Sequence, residues 1–168
     1  MSHKNQSGQF FGIGPLGVVI TVLIWFVVHY FEIILKIPKM MINPTFRVAL
    51  MAIFMIDALY LLIGGNYYLG KSGRGKEIAK QGPYQFIRHP IYSVWIFSFT
   101  GISAMIFYSW GIIISAIPIS VIWSWLVQRE ETDMLKKFGD KYKIYMEKTG
   151  QFLPSWKGLK ESSELKNQ

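Results

Sequence analysis

Two clusters of ionisable residues stand at the edges of long apolar segments. The first contains Arg88 and His89, and the second, about forty residues further along, contains Arg129, Glu130 and Glu131. These groups could bind the carboxylate, ammonium or hydroxyl groups of a small ligand. Charged side chains are costly beside a segment of membrane-spanning length, so they indicate a functional site by default.

The first cluster lies in residues 82–92, where a proline predicts the start of a helix. Pro90 suits the first helical turn, which places His89 just before the helix and Tyr92 just inside it. The free N–H groups of such a helix start favour an anion. Together with Arg88, they predict a binding point for a carboxylate.

The second cluster follows the last apolar segment. Aromatic residues and a glycine at residues 107–111 indicate a short turn, so we expect the third and fourth apolar segments to form a helical hairpin. We expect Glu130 and Glu131 to end the fourth helix, on the membrane face that carries the first cluster. A ligand with one anionic end and one cationic or hydroxyl-rich end would fit between the two clusters.

The composition is that of an integral membrane protein. The 168 residues are 51% hydrophobic and 16% aromatic, with a mean hydropathy of +0.28. The net charge of +8 comes from basic residues between and after apolar runs, so we predict no nucleic-acid partner. The chain has no cysteine and three scattered histidines, so we predict no metal site.

Four apolar segments are long enough, or nearly so, to cross a bilayer. We predict an all-α integral membrane fold of about four transmembrane helices, with a C-terminal helical hairpin and a cytoplasmic amphipathic helical segment. Prolines and charges between the first two segments suit a short loop. The predicted segments are approximately residues 10–35, 45–69, 91–107 and 110–127.

Basic residues predict the orientation in the membrane. They are concentrated between the second and third segments and after Val127. By the positive-inside rule both regions are cytoplasmic, so we predict a multi-pass protein with cytoplasmic N- and C-termini. Both charged clusters would then share the cytoplasmic face.

An amphipathic stripe follows the fourth segment. Leu135, Phe138, Tyr142 and Tyr145 recur at three- and four-residue intervals, with lysines on the other face. We expect Gly139 to break this helix, Asp140 to cap the next one, and the segment to lie on the inner membrane surface. We divide the chain into residues 1–77, two helices on the acceptor side; 78–154, a cofactor-binding hairpin and cytoplasmic segment; and 155–168, a flexible polar tail.

Several of these features occur together in one known family. Residues 82–92, Glu130-Glu131, the amphipathic stripe and Phe152-Leu153-Pro154 resemble the isoprenylcysteine carboxyl methyltransferase family and its relatives, which include phospholipid N-methyltransferases. The resemblance covers residues 78–154. It implies a membrane-embedded methyltransferase that uses S-adenosylmethionine, which that family binds between the hairpin and the cytoplasmic segment.

The resemblance also implies roles for particular residues, and a lipophilic acceptor that enters from the surrounding membrane lipids. The implied cofactor-binding residues are Tyr84, Arg88, His89, Tyr92, Glu130 and Glu131. If the acceptor is an amine, it must lose a proton, for which Glu130, Glu131 or His89 could serve; a carboxylate acceptor needs no such step.

Two positions depart from the family pattern. Val94 stands where a glycine is usual, and Leu126 stands where carboxyl methyltransferases tend to have an arginine associated with the acceptor carboxylate. Arg129 is therefore our candidate for orienting an anionic acceptor, and with Glu130 it forms the predicted catalytic pair.

Two other functions are open from the sequence. One is an NADPH-dependent reductase of isoprenoid or sterol double bonds, since some of these enzymes have a similar Arg-His-Pro-x-Tyr region. The other is a non-catalytic lipid-binding membrane protein. We interpret three ionisable residues within the apolar segments, Asp57, His29 and Glu32, as structural or interfacial.

Overall fold

The computed structural model describes residues 13–73 and 76–155, and these form a bundle of helices. Four helices are long and apolar enough to cross a membrane, which confirms the predicted fold class. Helices α1 to α4 are the candidate spans, and α5 is a shorter helix after them. Their bounds are Gly14–Ile34 (α1), Pro44–Lys71 (α2), Pro90–Phe107 (α3), Trp110–Phe138 (α4) and Asp140–Lys148 (α5). The predicted polar tail lies outside the described residues beyond Ser155.

The predicted loop between the first two spans is confirmed, and local chemistry explains where α2 begins. Pro44 occupies the first turn, where its missing N–H costs nothing. The Asn43 side chain accepts a hydrogen bond of 2.9 Å from the Thr45 N–H and so caps the helix.

The third span contains a π-helical turn at Val94–Ser98, which its apolar sequence does not indicate. Ser98, at the end of this turn, donates a hydrogen bond of 2.5 Å from Oγ to Asp57 Oδ2 on α2. This hydrogen bond between α2 and α3 supports the structural interpretation of Asp57.

The hairpin between α3 and α4 is as tight as predicted. Tyr108 adopts a left-handed conformation with φ of 54°, and Ser109 caps α4 by accepting a hydrogen bond from the Ile112 N–H at 2.9 Å. However, the predicted end of the fourth helix is wrong. α4 continues to Phe138, so Glu130 and Glu131 lie inside the helix, which remains regular beyond the apolar segment.

The predicted break after α4 is confirmed at Gly139, whose φ is 54°. A residue with a side chain rarely adopts this conformation, so glycine suits the position. The predicted capping role of Asp140 is wrong. Gly139 is the cap residue, and Asp140 is the first residue of α5, where its charge still suits the helix dipole.

Close packing of α1 against α4 builds the main core. Gly17 lies so near Trp123 that a Cβ atom would be 2.4 Å from the ring, and Trp123 Nε1 donates a hydrogen bond of 2.9 Å to Thr21 Oγ1. The outer faces of the helices expose many large apolar side chains, as expected where lipid is the solvent. The core around Trp123 contains the buried residues Ile96, Ile119, Val127 and Phe152.

Candidate active site

The segment before α3 is shaped by a glycine. Gly82 has a φ of 60°, and a Cβ atom there would be 2.2 Å from the Tyr68 ring. It begins a 3₁₀ turn, Gly82–Gln85, in which Pro83 and Tyr84 are buried. The turn leads the chain from the α2 side to the start of α3.

Backbone pairing joins this segment to the chain after α5. The Arg88 N–H donates to the Gly150 carbonyl at 2.8 Å, the His89 N–H donates to the Gln151 carbonyl at 3.0 Å, and the Gly150 N–H donates to the Phe86 carbonyl at 3.0 Å. These bonds hold the residues after α5 against the entrance to α3.

Arg88 is the centre of an internal network. Its Nη1 donates to the carbonyls of Met146 at 3.0 Å and Thr149 at 2.5 Å, and its Nε donates to Glu131 Oε1 at 2.9 Å. His89 Nε2 lies 3.1 Å from the same Glu131 oxygen. The Arg88 and Glu131 side chains are only 11% and 10% exposed, so this is a mostly buried ion pair with additional hydrogen bonds.

Glu130 lies beside that network in a different environment. Its Oε1 accepts hydrogen bonds from the Tyr92 hydroxyl at 2.9 Å and from the Ile13 N–H at 3.3 Å, both uncharged donors. The nearest basic atom is His89 Nδ1, 3.9 Å from Oε2. The Glu130 side chain is 29% exposed, so it is the more accessible and less neutralised of the two acids.

Buried phenols surround these acids outside the spans. Burial, assisted by the charge of Glu131, raises the pKa of Tyr142 to about 12. Burial also raises the pKa of Tyr84, with a contribution from Glu130, and that of Tyr145. The Tyr145 hydroxyl donates to the Tyr84 carbonyl at 2.8 Å. These phenols are therefore neutral near pH 7.

The structure brings together five of the six predicted cofactor-binding residues and places the sixth beside them. Arg88, His89, Tyr92, Glu130 and Glu131 form one continuous set of contacts. The His89 and Tyr92 rings are stacked, with centroids 5.5 Å apart and planes 8° from parallel. Tyr84 lies near enough for the Glu130 charge to raise its pKa.

Arg129 is not brought to this set. It is exposed on another face of α4, where it lines a shallow groove. The groove residues beside it are Gln128, Thr132, Asp133 and Lys136. On a helix, residues two positions apart point about 200° apart, so Arg129 faces away from the cluster in which Glu131 is buried.

Sequence reasoning missed the contribution of the first helix. The Ile13 N–H bonds to Glu130, and Gly14 allows the Tyr92 ring to approach so closely that a Cβ atom would be 3.3 Å away. No local signal in the sequence connects the start of α1 to a residue more than a hundred positions away. The packing of α1 against α4 makes this contact.

Comparison with known proteins gives the family. The model of the phospholipid methyltransferase family matches residues 39–141, which is more than half of the chain. The match includes α2 through α4 and the first residues of α5, and thus both charged clusters. No curated protein and no solved structure matched the chain. The prediction of a membrane methyltransferase is therefore confirmed, and the chain belongs to the phospholipid methyltransferase family.

Proposed function

We propose that the protein transfers a methyl group from S-adenosylmethionine to the amine headgroup of a membrane lipid. The observation that carries this proposal is the position of Glu130. Its carboxylate is partly exposed, bonded to neutral donors, and adjacent to a fixed Arg88–Glu131 pair. A carboxylate in this state can accept a cation without breaking an existing ion pair.

The residues present fit a cofactor with cationic and hydroxyl groups. Glu130 would hold a positive centre, and the neutral Tyr92 and Tyr84 phenols are polar groups beside it. When bound, S-adenosylmethionine supplies an electrophilic methyl group. Because two nitrogens of Arg88 are already bonded within the protein, we assign it a positioning role: it fixes Glu131 and the C-terminal segment beside the site.

His89 is the residue we propose as the proton acceptor. With Nε2 bonded to Glu131, its Nδ1 faces Glu130 and can accept a proton from an ammonium group. The negative charge of Glu130 would stabilise the imidazolium that forms. This arrangement suits an amine, which must be deprotonated before it can act as a nucleophile.

Two positions favour an amine over a carboxylate acceptor. Leu126 is buried, and Arg129 faces away from the cluster, so neither gives an anionic acceptor a cation there. Arg88, the cation that is present, is paired with Glu131. The cytoplasmic location of the cluster remains part of this proposal, based on the distribution of basic residues.

Methyl transfer from labelled S-adenosylmethionine into lipid tests the proposal directly. Purified protein in nanodiscs of phosphatidylethanolamine and phosphatidylcholine should label the former, and calorimetry should detect cofactor binding. Glu130→Gln should lower labelling by about 100-fold or more, whereas Glu147→Gln, at an exposed acid on α5, should not. Absence of cofactor binding by the wild-type protein would refute the proposal. NADPH binding without S-adenosylmethionine binding would favour a reductase, and lipid binding with neither would favour a non-catalytic protein.

A further inference from the structure

A cavity of about 350 Å³ lies at the end of the bundle opposite to Glu130. It lies at the end of α1, beside the turn between α3 and α4. Its lining includes His29, Glu32, Lys36 and Lys39. The start of α1 contacts Glu130, and a helix of that length extends about 30 Å. The cavity is therefore separated from the methyltransferase site by about the thickness of a bilayer core.

Two unusual backbone conformations occur at this cavity. Lys36 and Tyr108 have φ values of 51° and 54°, and within residues 13–73 and 76–155 they are the non-glycine residues with positive φ. Both line the cavity. A hydrogen bond of 2.9 Å from the Met40 N–H to the Tyr108 carbonyl holds the two loops together. Both residues are the left-handed caps that end α1 and α3, since the N–H groups of Ile37 and Ser109 bond back to the carbonyls of Glu32 and Ala104.

The cavity also contains a polar atom without an internal partner. His29 Nδ1 is buried and makes no hydrogen bond to any described residue. The nearest acidic atom, Glu32 Oε2, is 3.9 Å away, which is too far for a hydrogen bond. The other Glu32 oxygen accepts a hydrogen bond from the Gly111 N–H at 2.7 Å. His29 Nδ1 is therefore an unsatisfied buried polar atom next to the cavity.

The charge at the cavity is mainly positive. Lys36 and Lys39 are exposed and form no ion pair with a described residue. Arg47 adds positive charge behind the cavity, with its guanidinium carbon 4.2 Å from the centre of the Tyr108 ring. The remaining wall is apolar and contributed by Ile33, Ile37, Pro38 and Phe107. A ligand that suits this cavity has an anionic group joined to an apolar body.

We propose that the cavity binds the phosphate group of an anionic phospholipid from the leaflet opposite to the methyltransferase site. Lys36 and Lys39 contact the phosphate oxygens. The apolar wall packs against the glycerol region. This site is independent of the methyl-transfer proposal, because none of its residues contacts the Glu130 cluster.

Native mass spectrometry of the full-length protein in detergent tests this site. Titration with dioleoylphosphatidylglycerol or dioleoylphosphatidylcholine should show tighter binding of the anionic lipid. A basic residue near an anionic lipid surface contributes about fivefold, so Lys36→Gln with Lys39→Gln should weaken phosphatidylglycerol binding about 25-fold. Phosphatidylcholine binding should change little. The matched control is Lys71→Gln with Lys80→Gln, which removes two exposed lysines elsewhere and should retain the preference.

Three outcomes would overturn the proposal. One is equal affinity of the wild-type protein for both lipids, and another is an equal loss in both double variants. The third is displacement of phosphatidylglycerol by inorganic phosphate at similar concentration, which would identify a site for free phosphate. Unchanged thermal unfolding of the double variants establishes that lost binding is not lost folding.

Discussion

The two ends of the helical bundle hold their charged groups in opposite ways. At one end, Arg88 and Glu131 are nearly buried and bonded to each other, and Arg88 is also bonded to two carbonyl groups. At the other end, Lys36 and Lys39 are exposed and His29 keeps an unused ring nitrogen. The first end is preorganised by its own contacts, whereas the second depends on a ligand to complete them. Substitutions at the two ends should therefore have different consequences.

Removal of the buried cation should have the largest effect on stability. Arg88→Ala leaves Glu131 buried without its cation and two carbonyls without a donor, so unfolding free energy should fall by about 3–5 kcal/mol. Lys36→Gln at the other end should change it by less than about 0.5 kcal/mol. Thermal unfolding in one detergent compares the two. Similar shifts would remove the contrast between the ends.

The neighbouring acids should separate activity from stability. Glu130→Gln keeps an acceptor for the Tyr92 hydroxyl but loses the charge, so methyl transfer should fall by about 100-fold or more while thermal unfolding is nearly unchanged. Glu131→Gln loses the charge that compensates Arg88 and should lower the unfolding temperature. Initial rates and unfolding curves on the same preparations provide the check. Equal losses of stability would show that the two acids belong to one structural unit.

α1 extends from the Glu130 cluster to the cavity, and it packs against α4 along the way. Gly17→Ala places a methyl group 2.4 Å from the Trp123 ring, so unfolding free energy should fall by about 1–3 kcal/mol, and displacement of α1 should also disturb the Ile13 contact with Glu130. Gly70→Ala is the matched control, because no atom outside its own helix backbone lies within 4 Å of the added Cβ. Thermal unfolding should show a loss of stability, and calorimetry a loss of cofactor binding, only for Gly17→Ala. Normal cofactor binding would mean that α1 does not support the site.

The smallest expected effect is a pH dependence at the end of the bundle that holds Arg88 and Glu131. Burial and Glu131 raise the pKa of Tyr142 from 10.0 to about 12, so the neutral phenol is stabilised in the folded protein. Its contribution to stability is full below pH 10 and is lost as pH rises through about 12. Ultraviolet titration of wild type and Tyr142→Phe should show one phenol fewer ionising near pH 12. If Tyr142→Phe instead loses one phenol that ionises near pH 10, the pKa of Tyr142 is not raised.

Much of the fold could be predicted because apolar length and helix-start residues act locally. The spans and the Gly139 break follow from such signals. The end of α4 could not be inferred from hydropathy, because a helix leaving the membrane changes its polarity without ending. The π-turn at Val94–Ser98 is also invisible, since it depends on how α3 packs against neighbouring helices.

The candidate site was partly predictable for a similar reason. The hairpin alone brings His89 and Glu131 together, and the sequence indicated that hairpin. The bonding of Arg88 to the carbonyls of Met146 and Thr149 depends on where the C-terminal segment docks. The outward position of Arg129 depends on which face α4 turns toward the other helices. Both are properties of the assembled tertiary structure.

The unbroken length of α4 determines the depth at which its acids lie in the bilayer. Glu130 is twenty residues after Trp110, which corresponds to about 30 Å along the helix, the thickness of the hydrocarbon core. With Trp110 at one boundary of that core, Glu130 stands at the other, level with the layer of lipid headgroups. At this depth the proposed lipid acceptor would meet the site while its acyl chains remain in the membrane, and its product would leave by lateral diffusion. Repeated visits by the same molecule would need no extraction from the bilayer.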